Sequence, residues 1–196
     1  MSSAVPNAAL SSAEYLRRER LAVERTEYLR GRLVAMTGAT RCRNRIVVNL
    51  SAILHRLLRD RSCHNYASDL RVSIAGGRSY LDPDVVVTCG EEQFEDGQLD
   101  TLINPVVIIE VLSPSTEAYD RGEKFLEYQA IASLREYVLV TPRPRRIECY
   151  RREVDNGCYY EGWAFSPPAP YLQSLDVTLE PDEVYFKVES DETSET

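Results

Sequence analysis

The chain has 196 residues, 43% hydrophobic and 28% charged, with a formal net charge of −8. That length suits one domain with a real core, and no apolar run approaches the roughly 20 residues a membrane-spanning helix needs. Charge is uneven: residues 180–196 hold seven acids and Lys187, whereas residues 30–61 carry eight arginines against Asp60 and residues 143–152 carry five against Glu148, so the negative sum does not exclude contact with phosphate.

Residues 1–10 read as a disordered lead, with no basic segment before an apolar stretch and hence no signal peptide; a cytoplasmic location is expected. Residues 11–186 read as one domain and 187–196 as an acidic, frayed tail. Ser11 and Glu14 form a capping box that predicts a helix to about residue 22. Residues 27–36 predict two short strands hinged at Gly31. Ile46, Leu50, Ile53, Leu54, Leu57 and Leu58 recur at helical spacing and predict a long helix ending near Asp60, with Arg43, Asn49, Arg56 and Arg59 off its apolar face.

Strands are then predicted over 68–74, with a turn at Gly76-Gly77, and over 80–88. Residues 90–104 read as an acidic loop. Residues 105–112 form a nearly continuous apolar run, as in a strand covered on both faces. Asp120 and Glu123 suggest a second capping box and a helix to about Ala130. Further strands are predicted over 136–140, 146–151, 158–165 and 175–179. This order implies an α/β fold, a central sheet flanked by helices with extra strands at both ends. The five cysteines are odd in number and scattered without a C-x-x-C pair, which favours free thiols over a zinc site or disulfides. His55 and His64 lack metal-ligand spacing.

The chemistry concentrates in three residues. Asp84 follows Pro83 at the start of one strand-like run, Glu110 lies near the end of another, and Lys124 is one of only two lysines beside 21 arginines. A carboxylate in an apolar strand is costly to bury without compensation, and a metal ion is one form of it. If the two strands are antiparallel neighbours, both acids converge on one cation. Magnesium fits such a site, or manganese, with the Val111 carbonyl as a third oxygen. The cation would polarise a scissile phosphate, lower the pKa of a water and stabilise the departing oxygen. Lys124 would either take up a proton or supply positive charge alone. The plainer readings are a turn cap for Asp84, a pair with Arg135 for Glu110, an N-cap for Asp120 and a solvated Lys124.

Asp82-Pro83-Asp84, the stretch from Asn104 through Glu110 to Ser115-Thr116, Tyr119-Asp120-Arg121-Gly122-Glu123-Lys124-Phe125 and Leu134-Arg135-Glu136-Tyr137 together resemble the Uma-two family. These are bacterial proteins of the PD-(D/E)xK restriction-endonuclease-like superfamily, long classed as a domain of unknown function. The resemblance implies that superfamily's core of helix, three strands, helix and strand, with Asp84 and Glu110 as the motif acids. The lysine expected two residues after the acid is replaced by Leu112, and its family counterpart on the next helix matches Lys124. Relatives often carry a histidine where this chain has Arg43 and Asn44, and the long helix lacks the glutamate some superfamily members place there. Glu27 is a candidate third acid, though packing in its hairpin explains it more simply. The expected activity is metal-dependent hydrolysis of DNA, with Arg41, Arg43 and Arg45 as phosphate contacts and a homodimer serving the two strands. A non-catalytic nucleic-acid- or protein-binding module on the same fold is the alternative, and a hydrolase of small phosphorylated substrates is a third.

Overall fold

The computed structural model describes residues 10–36, 38, 40–153, 157–164 and 168–189. Helix α1 (Ser12–Glu19) is capped by Ser11, whose hydroxyl accepts the Glu14 N–H at 3.3 Å. The Glu14 carboxylate does not return to the cap; it bridges Arg17 and Arg18. Strands β1 (Thr26–Leu29) and β2 (Arg32–Ala35) form the expected hairpin. Its turn needs positive φ at both Arg30 and Gly31, which is why a glycine stands there. Helix α2 (Arg41–Leu57) is capped by Thr40 and buries Ile46, Leu50, Ile53 and Leu54 as the periodicity requires.

The strand read as 68–74 is β4 (Arg71–Ile74), which starts three residues later because Ser68 and Asp69 take positive φ; β3 (Cys63–Ala67), just before them, was not expected, and one expected strand is divided. The segment read as 80–88 comprises β5 (Ser79–Leu81) and β6 (Val85–Cys89), broken at Asp82-Pro83-Asp84 because proline cannot donate to a ladder. After β7 (Thr101–Leu102) comes the fully buried β8 (Val107–Val111). The next helix starts before the expected box: α3 (Glu117–Tyr119) passes through a π turn over Asp120–Lys124 into α4 (Phe125–Tyr128). Asp120 is therefore an interior residue, not a cap. Strands β9 (Glu136–Thr141), β10 (Arg146–Arg152), β11 (Cys158–Ala164), β12 (Tyr171–Leu172) and β13 (Val177–Thr178) follow, then a short helix α5 (Pro181–Val184). Phe165, expected to end β11, lies outside the described residues, as do 1–9 and 190–196. Val188 is buried, so the chain is still packed at the start of the segment read as a tail.

One sheet runs β2-β1-β5-β4-β7 and the other β11-β10-β9-β8-β6-β3. Within the six-stranded sheet, alternate residues face opposite cores. Val85, Val87, Val107, Ile109 and Val111 pack with α2, whereas Val86, Ile108 and Leu112 pack with Tyr128, Ile131 and Leu134 from the α4 region and with Val72 and Ile74 of the other sheet. Period-two alternation therefore puts Asp84 and Glu110 on the second face, the one that α3 and α4 cover.

The free-thiol expectation fails at one pair. Cys63 and Cys89 are cross-strand partners in β3 and β6 and form a disulfide, while Cys42, Cys149 and Cys158 are free. Alkylating the denatured, unreduced protein should label three of five cysteines. Reduction should cost about 2–4 kcal/mol of stability; full labelling of all five before reduction would refute the pairing.

Candidate active site

The β6–β8 register pairs Val85 with Ile109 and Val86 with Ile108. Continued by one residue, it sets Asp84 opposite Glu110. Directly opposed residues of an antiparallel pair share a face, with Cβ atoms roughly 5 Å apart. The two strands thus bring together acids that lie 26 residues apart. Asp84 is fixed from two sides. The Val111 N–H donates to its Oδ2 at 2.8 Å, and Arg43 Nε lies 3.0 and 3.1 Å from its two oxygens. Val111 thus contributes its N–H to the acid pair.

Glu110 is completely buried. Its Oε1 accepts from Lys124 Nζ at 2.8 Å and from the Tyr128 hydroxyl at 3.1 Å, while its Oε2 is buried with no hydrogen-bond partner. Lys124 Nζ also lies 2.8 Å from Glu27 Oε1 and 3.8 Å from Asp120 Oδ1. Asp120, Lys124 and Tyr128 are four residues apart, so the π turn and α4 present all three toward the same cluster. Glu27 arrives from β1 of the other sheet, and its Oε1 also accepts the Asp82 N–H at 3.0 Å. The candidate third acid is therefore part of the cluster, not merely a hairpin residue.

Burial pushes the Glu110 carboxyl above its usual range, and the Lys124 ammonium opposes that push. Burial alone would lower the Lys124 pKa, but Glu110, Glu27 and Asp120 outweigh it and hold the amine protonated. Of the two roles left open for Lys124, the surroundings favour fixed positive charge.

Beside the cluster lies a cavity of about 140 Å³, walled by Glu27, Arg43, Asp82, Tyr119, Asp120 and Lys124 among others, with Asp84 and Glu110 behind that wall and not in it. The Tyr119 hydroxyl is buried there without a partner. This volume is well below the roughly 300 Å³ at which small-molecule pockets begin, which disfavours an enclosed site for a small phosphorylated substrate. Arg41 and Arg45 line a different hollow with Cys42, Lys187 and Val188, and Arg41 lies 3.5 Å from Glu189. Of the three candidate phosphate arginines, only Arg43 borders the acid cluster. Asp120 and Tyr128 are site residues that residue-by-residue reading missed; the four-residue spacing of Asp120, Lys124 and Tyr128 was the available signal.

Residues 12–180 match the family model Uma2, described as "Putative restriction endonuclease". The chain belongs to the Uma2 family. Two relatives of this Uma2 chain come from Synechocystis sp. One, the uncharacterized protein sll1609, is 38% identical over 146 residues, covering 74% of this chain and 82% of that protein. The other, the uncharacterized protein slr1290, is 34% identical over 184 residues, covering 94% and 95%. A crystal structure from Anabaena variabilis, titled a putative nuclease belonging to DUF820, superposes with a TM-score of 0.74 at 16% identity, over 89% of this chain and 97% of that one. At that identity the likeness establishes the fold, which is restriction-endonuclease-like with additional strands at both ends.

Proposed function

We propose that this Uma2 chain is a divalent-metal-dependent endonuclease that hydrolyses DNA phosphodiester bonds. The observation that carries this reading is the pair of facing acids, Asp84 and Glu110, with one Glu110 oxygen buried and unpartnered and a lysine ammonium against the other. A buried oxygen without a partner calls for an occupant. Among the described residues no three His, Cys, Asp or Glu side chains form a ready metal cage. The donors that do converge are carboxylate oxygens, which suit magnesium or manganese and one or two protein ligands. The residues fit such an ion: Asp84 and Glu110 would hold it, and it would supply Lewis-acid polarisation of the phosphate. Lys124, locked by Glu27 and Glu110, offers a pre-oriented ammonium where negative charge grows on the phosphate. Asp120 and Tyr128 keep that ammonium and Glu110 in register.

DNA is the proposed partner because Arg43, at the start of α2, borders the cavity beside the acid cluster, and a homodimer would serve two strands. No helix of the described residues is long and apolar enough to cross a membrane, and a cytoplasmic setting is part of the proposal. The alternative, a non-catalytic binding module, is favoured by one observation: Arg43 already occupies both oxygens of Asp84. Nicking of supercoiled plasmid separates the two. Magnesium or manganese should support nicking by the wild type, and Glu110→Gln and Asp84→Asn should each reduce it by about a hundredfold or more. Absence of nicking, or equal nicking by all three proteins, would favour the binding module instead.

A further inference from the structure

We propose that Arg43 is a positioning residue that sets the cation affinity of this site: its guanidinium holds Asp84 until a divalent ion takes its place. The inference rests on the endonuclease reading above. Arg43 stands in the first turn of α2, where its N–H donates to the Thr40 hydroxyl at 3.2 Å. Its Nε reaches both Asp84 oxygens, and its Nη2 lies 3.0 Å from Oδ1. With the Val111 N–H on Oδ2, Asp84 is covered, and its partner's side chain is only 12% exposed. Glu110, across the strand pair, keeps Oε2 bare.

The two acids are thus treated differently. Each has a cation of the protein's own, Arg43 on Asp84 and Lys124 on Glu110, but only Glu110 keeps a vacant oxygen. Carboxylates facing each other in a low-dielectric interior repel when ionised, so without a metal Asp84 needs a charge beyond the Lys124 ammonium that serves Glu110. A guanidinium fork supplies it with directional hydrogen bonds. It carries one charge and reaches one acid, whereas a divalent ion carries two and can engage both. A divalent ion would compete with Arg43 for the Asp84 oxygens, so its apparent affinity would be reduced by the stability of the Arg43–Asp84 pair. Arg43 already borders the cavity, so a guanidinium released from Asp84 would find its natural partner in an entering phosphate.

Calorimetric titration of the full chain with manganese chloride, in the absence of nucleic acid, tests this without reading activity. Arg43→Met should bind manganese about tenfold or more tightly than wild type, the equivalent of losing one charge-assisted hydrogen bond to Asp84. Arg43→Lys should lie between them, because an ammonium cannot fork across both oxygens. Asp84→Asn added to Arg43→Met should remove the gain; a gain that survives it overturns the proposal. If wild type binds manganese and Arg43→Met binds it equally or more weakly, the Arg43 proposal falls and the endonuclease reading stands. If neither folded protein binds manganese, both fall. Circular dichroism checks folding; should Arg43→Met not fold, tighter binding by Arg43→Lys supports the proposal, and equal or weaker binding overturns it.

Discussion

Replacing Lys124 by methionine should cost about 3–5 kcal/mol of folding stability, the usual penalty for removing one member of a buried ion pair. Methionine preserves most of the volume but leaves Glu27 and Glu110 buried without their shared ammonium. The loss should depend on pH in a defined sense. Without Lys124, the largest interaction opposing the burial that pushes Glu110 and Asp120 upward is gone. A carboxyl whose folded-state pKa is raised binds protons in the folded chain that the unfolded chain releases. Its contribution to stability is therefore present at acid pH and is lost as pH rises from the ordinary carboxylate range, near 4.3, through the raised value. Urea denaturation of Lys124→Met should show a larger deficit at pH 8 than at pH 5. In the nicking assay the same variant should lose about a hundredfold or more at pH 8, measured below its unfolding transition. A variant that is as stable as wild type at pH 8 would mean that the lysine does not compensate these acids.

The second large effect lies away from the site. Glu136→Ala should destabilise the protein by about 3–5 kcal/mol and lower its thermal midpoint by roughly 10 °C. Glu136 is fully buried at the start of β9. It accepts from Arg151 Nε at 3.0 Å and from the backbone N–H groups of Gln173 and Ser174, each at 3.0 Å, and from the Ser174 hydroxyl. One carboxylate thus ties β10 and the segment leading to β13 onto the central sheet. Alanine leaves the Arg151 Nε–H and two amide donors without their acceptor, and unpaired buried donors cost more than the net value of the bonds they made. A midpoint within about 2 °C of wild type would show that this carboxylate is dispensable.

The parts of the fold legible in the sequence were those where one period dominates. Helix α2 announced itself through Ile46, Leu50 and Leu54, and β8 through a nearly continuous apolar run, both consequences of burial. Glu110 stood out because it interrupts that run. The boundaries that failed depend on distant partners. Tyr80 to Thr88 reads as one strand because its apolar content continues past Pro83, and nothing local says that its halves join different sheets. The Asp120–Glu123 spacing mimics a cap, but the chain turns helical earlier, where the Ser113 carbonyl accepts the Glu117 N–H. Strand β3 carries Cys63, His64, Asn65 and Tyr66 on a sheet edge, so it lacks a strong pattern. Without β3 in register beside β6, the pairing of Cys63 with Cys89 could not be read. The hold of Arg43 on Asp84 was equally hidden, because a residue off the apolar face of a helix normally meets water.

At Pro83 the chain crosses from the five-stranded sheet to the six-stranded one, and the acid cluster straddles that crossing. Asp84, Glu110 and Lys124 come from the six-stranded sheet and the helices on it, whereas Glu27 comes from the five-stranded one. A nascent molecule whose N-terminal hairpin has not yet docked would have its two facing acids but only part of the clamp on its lysine. Completion of this centre thus reports the joining of the two halves, and an immature chain would reach its final arrangement of charge only on reaching its final shape.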